Sequence, residues 1–142
     1  MVEPILKWAG GKRQILSQIM GHFPPESEIE GYREPFFGGG AVFFRECHEY
    51  GKTINDINER LINFYKVVRD NPDDLIEILA DFQPPESEPD PSREYSETGW
   101  KGKPIKNYYY QQRELFNRRP RGEEFDEKEE AALLLYLNRT CF

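Results

Sequence analysis

Three consecutive glycines, Gly38-Gly39-Gly40, close the stretch EPFFGGG, and Asp56 follows Gly38 by 18 residues. Glycine has no Cβ, so such a turn lets a backbone come close to a ligand. In nucleotide-binding α/β units an acid about 20 residues past the glycine turn grips the ribose hydroxyls. The spacing is not that of a dinucleotide fingerprint, whose third glycine lies three residues beyond the second, because position 43 is Phe. A pyrophosphate cradle is therefore not expected. A nucleoside-bearing ligand without phosphates fits better, and S-adenosylmethionine is the obvious one. The glycine cluster by itself is equally a plain tight turn; Asp56 at that spacing tips the reading towards a ligand.

A second stretch, LKWAGGKR at residues 6–13, carries Gly11-Lys12. A phosphate loop would need Gly at position 6 and Ser or Thr at 13, where this chain has Leu6 and Arg13. What is left is Trp8 and Lys12 bracketing two glycines. An exposed Trp stacks on a base or a cation, and a Lys pairs with a carboxylate. The same residues also read as a core Trp and a solvated helix start, and on these residues alone both readings stand.

These groups need elements to hold them. Residues 12–23, KRQILSQIMGHF, place Ile15, Leu16, Ile19, Met20 and Phe23 on one helical face, and Pro24-Pro25 ends it. Strands are expected at 32–36 and 52–57, the second ending at Asp56, with a helix over 41–50 between them, although Val42, Phe43 and Phe44 also suit a strand. This is the opening of a βαβ unit. From Glu59 the texture changes. Leu61, Ile62, Tyr65 and Val68, then Leu75, Ile78 and Leu79, mark two amphipathic helices broken at Asn71-Pro72. Residues 83–106 lack apolar periodicity and are rich in Pro, Glu, Ser and Gly, so an exposed or mobile loop is expected. A helix follows over 107–119. A last one starts at Asp126, as N-cap, with Glu129 in the capping-box position. Its interior, 131–137, is apolar nearly all round and should be deeply buried.

The whole chain has 142 residues, enough for one domain or one plus a subdomain. A net charge of −7 excludes coating of nucleic acid by bulk charge but leaves room for local basic stretches. Cys47 and Cys141 read as free buried thiols of a reducing compartment. The N-terminus has no long apolar stretch, so neither a signal peptide nor a membrane span is expected. The sequon Asn138-Arg139-Thr140 then reads as a chance match.

Taken in order, LKWAGGK, EPFFGGG and NDIN resemble the N-terminal motifs of the Dam-type, or D12 class, N6-adenine DNA methyltransferases. NERLINFYKVV, YYYQQRELFN and AALLLYLNRTCF are similar to that family's helical target-recognition region. The resemblance covers nearly the whole chain and spares mainly residues 83–106. It implies the start of a Rossmann-like donor-binding domain over residues 1–57, then a mostly helical recognition subdomain over 58–142. It implies S-adenosylmethionine as methyl donor, adenine in double-stranded DNA as acceptor, no metal, and a cytoplasmic protein of prokaryotic or phage type, as in restriction–modification systems. Carried over by position, Trp8 and Lys12 contact the methionine end of the donor. Phe36, Gly38 and Gly40 form the turn beneath it, and Asp56 holds the ribose hydroxyls. Lys7 and Arg139 fall where DNA contacts are expected.

The family's reaction also uses Asp-Pro-Pro-Tyr or a close variant. Adenine N6 is a poor nucleophile, and the Asp and a Pro carbonyl accept its protons while the aromatic holds the flipped base. Here Phe23-Pro24-Pro25-Glu26 and Gln83-Pro84-Pro85-Glu86 lack both the leading acid and the final aromatic. Both precede the helical region, whereas the family's motif follows it. The run ending in Cys141-Phe142 matches the point where the family enters its recognition hairpin. The sequence thus reads as the N-terminal portion of a methyltransferase, truncated or split, inactive alone and complemented by a chain with the catalytic motif. The alternatives are a non-catalytic remnant that binds donor or DNA, and an unrelated nucleotide-binding α/β protein such as a dehydrogenase.

Overall fold

The computed structural model describes residues 3–45, 50–93, 102–118 and 125–141. They form a mixed helix and strand structure that divides into two compact units, Met1–Ile62 and Asn63–Phe142.

The first unit is built on two parallel strands, β1 (Gly31–Glu34) and β2 (Gly51–Ile54), in register from Gly31 opposite Gly51 to Glu34 opposite Ile54. Parallel neighbours need a crossover, and it contains the short helix α2 (Ala41–Arg45). Both strands are shorter than expected. β1 stops before Pro35, which has no N–H for the ladder. β2 stops two residues short of Asp56, so the carboxylate sits on the connection beyond the strand. The helix expected over 12–23 is a 3-10 turn at Lys12–Ile15 followed by α1 (Leu16–Met20). Its apolar face is not packed away: Ile15 is 48% exposed, and Leu16, Ile19, Met20 and Phe23 are half-buried. The core of this unit is Leu6, Phe37, Val42 and Leu61. Phe43 meets the Phe37 ring edge-on at 5.5 Å.

In the second unit helices dominate. α3 (Glu59–Asp70) begins in the first unit and ends in the second, and α4 (Pro72–Ala80) follows with Pro72 in its first turn, where a missing N–H costs nothing. The buried stripe of α3 is Leu61, Phe64, Tyr65 and Val67, so Phe64 and Val67 take the places expected for Ile62 and Val68. α5 (Tyr108–Phe116) is capped by Asn107, whose side chain accepts from Tyr110 N. α6 (Glu127–Thr140) packs on both α4 and α5. Asp126 caps it as expected, accepting from the N–H groups of Lys128 and Glu129. The Glu129 side chain pairs with Arg93. Ala131, Ala132, Leu133 and Tyr136 are buried, whereas Leu134, Leu135 and Leu137 are only half-buried. The Tyr136 hydroxyl is buried with no hydrogen-bond partner among the described residues, and burial pushes its pKa up to about 12.

Residues 85–93 contain no helix or strand, as their composition predicts, yet they are tied down. Tyr108 N donates to Ser87 O at 2.7 Å and Tyr109 N to Pro85 O at 3.1 Å, which satisfies the open start of α5. The fully buried Gln111 amide exchanges two bonds with the Asp90 backbone, at 2.8 and 2.9 Å. A Gln side chain mimics a strand edge here, a pairing that composition does not reveal. Cys141 is free but exposed, which corrects the expected burial; Cys47 lies outside the described residues.

Candidate functional site

The glycine turn lies at the carboxyl ends of β1 and β2, where open parallel sheets bind ligands. Gly38 and Gly40 have φ of +56° and +78°, the left-handed region that glycine enters at little cost. Gly39 is needed for a different reason: a Cβ there would lie 2.8 Å from Trp8 Cβ. At Gly40 a Cβ would lie 2.5 Å from Phe37 Cζ. Trp8 therefore packs against the turn and is half-buried there.

Asp56 organises the same turn. Its Oδ2 accepts from Gly38 N at 2.8 Å and its Oδ1 from Asn58 N at 2.9 Å. Phe37 N donates to Asn55 O at 2.9 Å and Asn55 N to Glu34 O at 2.9 Å, extending the strand pairing into the turn. A carboxylate oxygen has two acceptor sites, so each Asp56 oxygen keeps one for a second donor. Asp56 is half-buried, which leaves those sites within reach of a ligand.

Lys12 reaches the other side of the turn. Its Nζ donates to Glu34 Oε1 at 2.8 Å and to the Phe36 carbonyl. Glu34 is buried at 6% exposure and also accepts from Tyr32 OH at 2.7 Å through Oε2. Sequence reasoning missed Glu34 and Tyr32. The signal available was the acid that opens EPFFGGG, two residues past a Tyr, which puts both on one face of a strand. Also missed was Ile57, next to Asp56. Ile57 is 96% exposed and Phe36, two residues before Gly38, is 78% exposed, so both present large apolar side chains to solvent.

The structure thus brings together Trp8, Lys12, Phe36, Gly38, Gly40 and Asp56 around one turn. Lys7 is exposed beside Trp8 in the sequence, and Arg139 is exposed in the last turn of α6, in the second unit. Among the described residues there is no group of three or more His, Cys, Asp or Glu that could hold a metal ion. No helix there is long and apolar enough to cross a membrane.

The candidate site is thus an acid-gripped glycine turn at the ends of two parallel strands, preceded by Trp-Ala-Gly-Gly-Lys. The family model for the D12 class N6 adenine-specific DNA methyltransferases matches residues 8–142, and the chain belongs to that family. It is 40% identical to the Type II methyltransferase M.MjaIII of Methanocaldococcus jannaschii, over 99% of this chain and 46% of that protein. It is 38% identical to the Type II methyltransferase M1.LlaDCHI of Lactococcus lactis subsp. cremoris, over 99% of this chain and 42% of that protein. With the DNA adenine methylase of Escherichia coli K12 the identity is 33%, over 94% of this chain and 39% of the relative. The chain spans less than half the length of the curated relatives it matches.

Proposed function

We propose that the first unit is the donor-binding part of a Rossmann-like S-adenosylmethionine-dependent domain, and that the whole protein methylates adenine N6 in double-stranded DNA. The observation that carries the reading is Asp56. It holds the N–H of Gly38 while keeping acceptor capacity for a ribose, beside the exposed Phe36 and Ile57. S-adenosylmethionine supplies a methyl group on a sulfonium. This chain's residues bind and orient it. The carboxylate of Asp56 accepts from the ribose hydroxyls, Ile57 and Phe36 cover apolar ring surface, and Lys12 faces the amino-acid end. Gly38 and Gly40 allow close approach, with Trp8 bracing them. The second unit serves as the helical part of the target-recognition subdomain, with Lys7 and Arg139 as DNA contacts.

Asp-Pro-Pro-Tyr does not occur in the 142 residues, so no side chain here is assigned to accept the adenine amino protons. The test is transfer of labelled methyl groups to DNA by this chain, with and without a polypeptide supplying that motif. We expect no transfer by the chain alone and transfer in the mixture. Robust transfer by the chain alone would show that the catalytic machinery has been misread. Failure with a well-folded complement would favour a non-catalytic donor- or DNA-binding role.

A further inference from the structure

Strand β1 places Tyr32 and Glu34 two residues apart, so both side chains fall on one of its faces. Glu34 is buried at 6% exposure, and each of its oxygens has a donor of its own. Lys12 Nζ donates to Oε1 at 2.8 Å and Tyr32 OH to Oε2 at 2.7 Å. The Tyr32 ring is in turn stacked on Phe23, with centroids 6.2 Å apart and planes at 29°. Lys12 opens the helical segment that runs to Met20, and Phe23 lies just beyond its end. One face of β1 therefore holds that segment at both ends.

Apolar packing does not fix the segment, because no residue of Lys12–Ile15 or Leu16–Met20 is buried. The orientation of Lys12 rests instead on its polar contacts, to Glu34 and to the Phe36 carbonyl. A Glu carboxylate has no sharp preference about its last torsion. A single bond to Lys12 would leave its plane free to turn, and the second bond, from Tyr32, fixes that plane. An ammonium has three N–H groups. Among the described residues two of those on Lys12 are used, and the side chain is 34% exposed. One N–H is left for a ligand, in a direction set by Glu34 and Tyr32.

We propose that Tyr32 is a positioning residue of the donor site: through Glu34 it aims the remaining N–H of Lys12 at the carboxylate of the donor's amino-acid end. The proposal rests on the reading that the turn binds S-adenosylmethionine, and deepens it by naming what selects a donor that carries a carboxylate. Tyr32 itself touches no ligand in this arrangement. Glu34 and the Phe36 carbonyl are acceptors and offer nothing to an anion. Capture of the ligand carboxylate therefore depends on the direction of that one N–H, since hydrogen bonds weaken steeply once bent.

The experiment is calorimetric titration of this chain with S-adenosylmethionine and with its decarboxylated analogue, which keeps the nucleoside, the sulfonium and the amine. The readout is the ratio of the two affinities. A contact that only steadies the fold weakens both ligands in proportion and leaves the ratio where it was. Loss of the aim of Lys12 lowers it. The parent is expected to prefer S-adenosylmethionine by about tenfold, and Lys12→Met to show no preference. Tyr32→Phe keeps the ring on Phe23 and removes only the hydroxyl; it should lower the ratio by about threefold. Added to Lys12→Met, Tyr32→Phe should not change the ratio further, because it acts through Lys12. Should the Lys12→Met chain not fold, the ratio for Tyr32→Phe alone decides. An unchanged ratio in Tyr32→Phe overturns the proposal while the donor reading stands, and so does a parent that binds both ligands equally. If the parent binds neither ligand, the proposal and the donor reading fail together.

Discussion

The two units are held together by different forces. In the first, the described fully buried apolar residues are Leu6, Phe37, Val42 and Leu61, and the rest of the order comes from hydrogen bonds converging on Asp56 and Glu34. In the second, Phe64, Tyr65, Val67, Leu75, Tyr108, Ala131, Ala132, Leu133 and Tyr136 are all buried, and an aromatic triad of Phe82, Tyr108 and Tyr136 meets edge-on at 5.2–6.3 Å. A two-stranded sheet with few apolar anchors is marginal on its own, whereas packed helices carry most of their stability in side-chain burial. The lesson is a division of labour. The helical unit is a scaffold whose energy lies in packing, and the glycine turn, the proposed donor site, has its energy in geometry.

Phe64→Ala should show the largest effect. Phe64 is fully buried, and truncating such a ring costs about 3–5 kcal/mol. Urea denaturation followed by far-ultraviolet circular dichroism should register loss of the helical unit. A loss under about 1 kcal/mol would mean that packing does not dominate there.

Gly40→Ala should act on the other side of the comparison. Its φ of +78° and the 2.5 Å approach to Phe37 leave no room for a methyl group. Strain of about 1–3 kcal/mol at the turn should weaken donor binding by at least tenfold while the helical signal stays intact. If both properties fall together, the two regions are not separable as described.

Asp126→Ala removes the acceptor of two N–H groups at the start of α6 and should cost about 1 kcal/mol. Donor affinity should not change, and calorimetry in parallel with denaturation checks this.

Tyr136→Phe should do least, and in the opposite direction. Removing a buried hydroxyl without a partner should leave stability unchanged or raise it by up to ~1 kcal/mol. The variant also sharpens the pH behaviour. Burial raises the folded pKa of Tyr136 from 10.0 to about 12, so the neutral form is the one that folds. Its contribution is fully present below about pH 10 and is lost as pH rises towards 12. Denaturation midpoints across this window should fall more steeply for the parent than for Tyr136→Phe.

Much of the first unit was legible because it rests on local rules. Glycines mark positive φ, and an acid 18 residues past Gly38 marks the connection that closes the turn, although both strands stop short of the expected ends at 36 and 56. The caps at Asn107 and Asp126 are local too, and Asp126 was read directly. What stayed hidden depends on distant partners. Glu34 is legible as a strand residue, but its burial against Lys12, 22 positions away, is not. The Gln111 amide pairing with Asp90 likewise spans 21 positions and ties down a segment whose composition reads as loop. The reach of Ile57 and Phe36 towards solvent was missed because apolar residues at strand ends look like core in a linear pattern.

The central claim is that Asp56 grips a ribose as well as its own turn, and one pair of titrations tests it most directly. S-adenosylmethionine and its 2′,3′-dideoxy analogue are titrated calorimetrically into the parent chain and into Asp56→Ala. Because Asp56 also holds Gly38 and Asn58, loss in the variant alone would not separate the two roles. The account predicts that Asp56→Ala weakens donor binding by at least tenfold, about 1.4 kcal/mol. It also predicts that the parent binds the dideoxy analogue correspondingly worse, and that the variant no longer distinguishes the two ligands. Equal affinity of the parent for both ligands would contradict it and leave Asp56 as a brace for the turn alone.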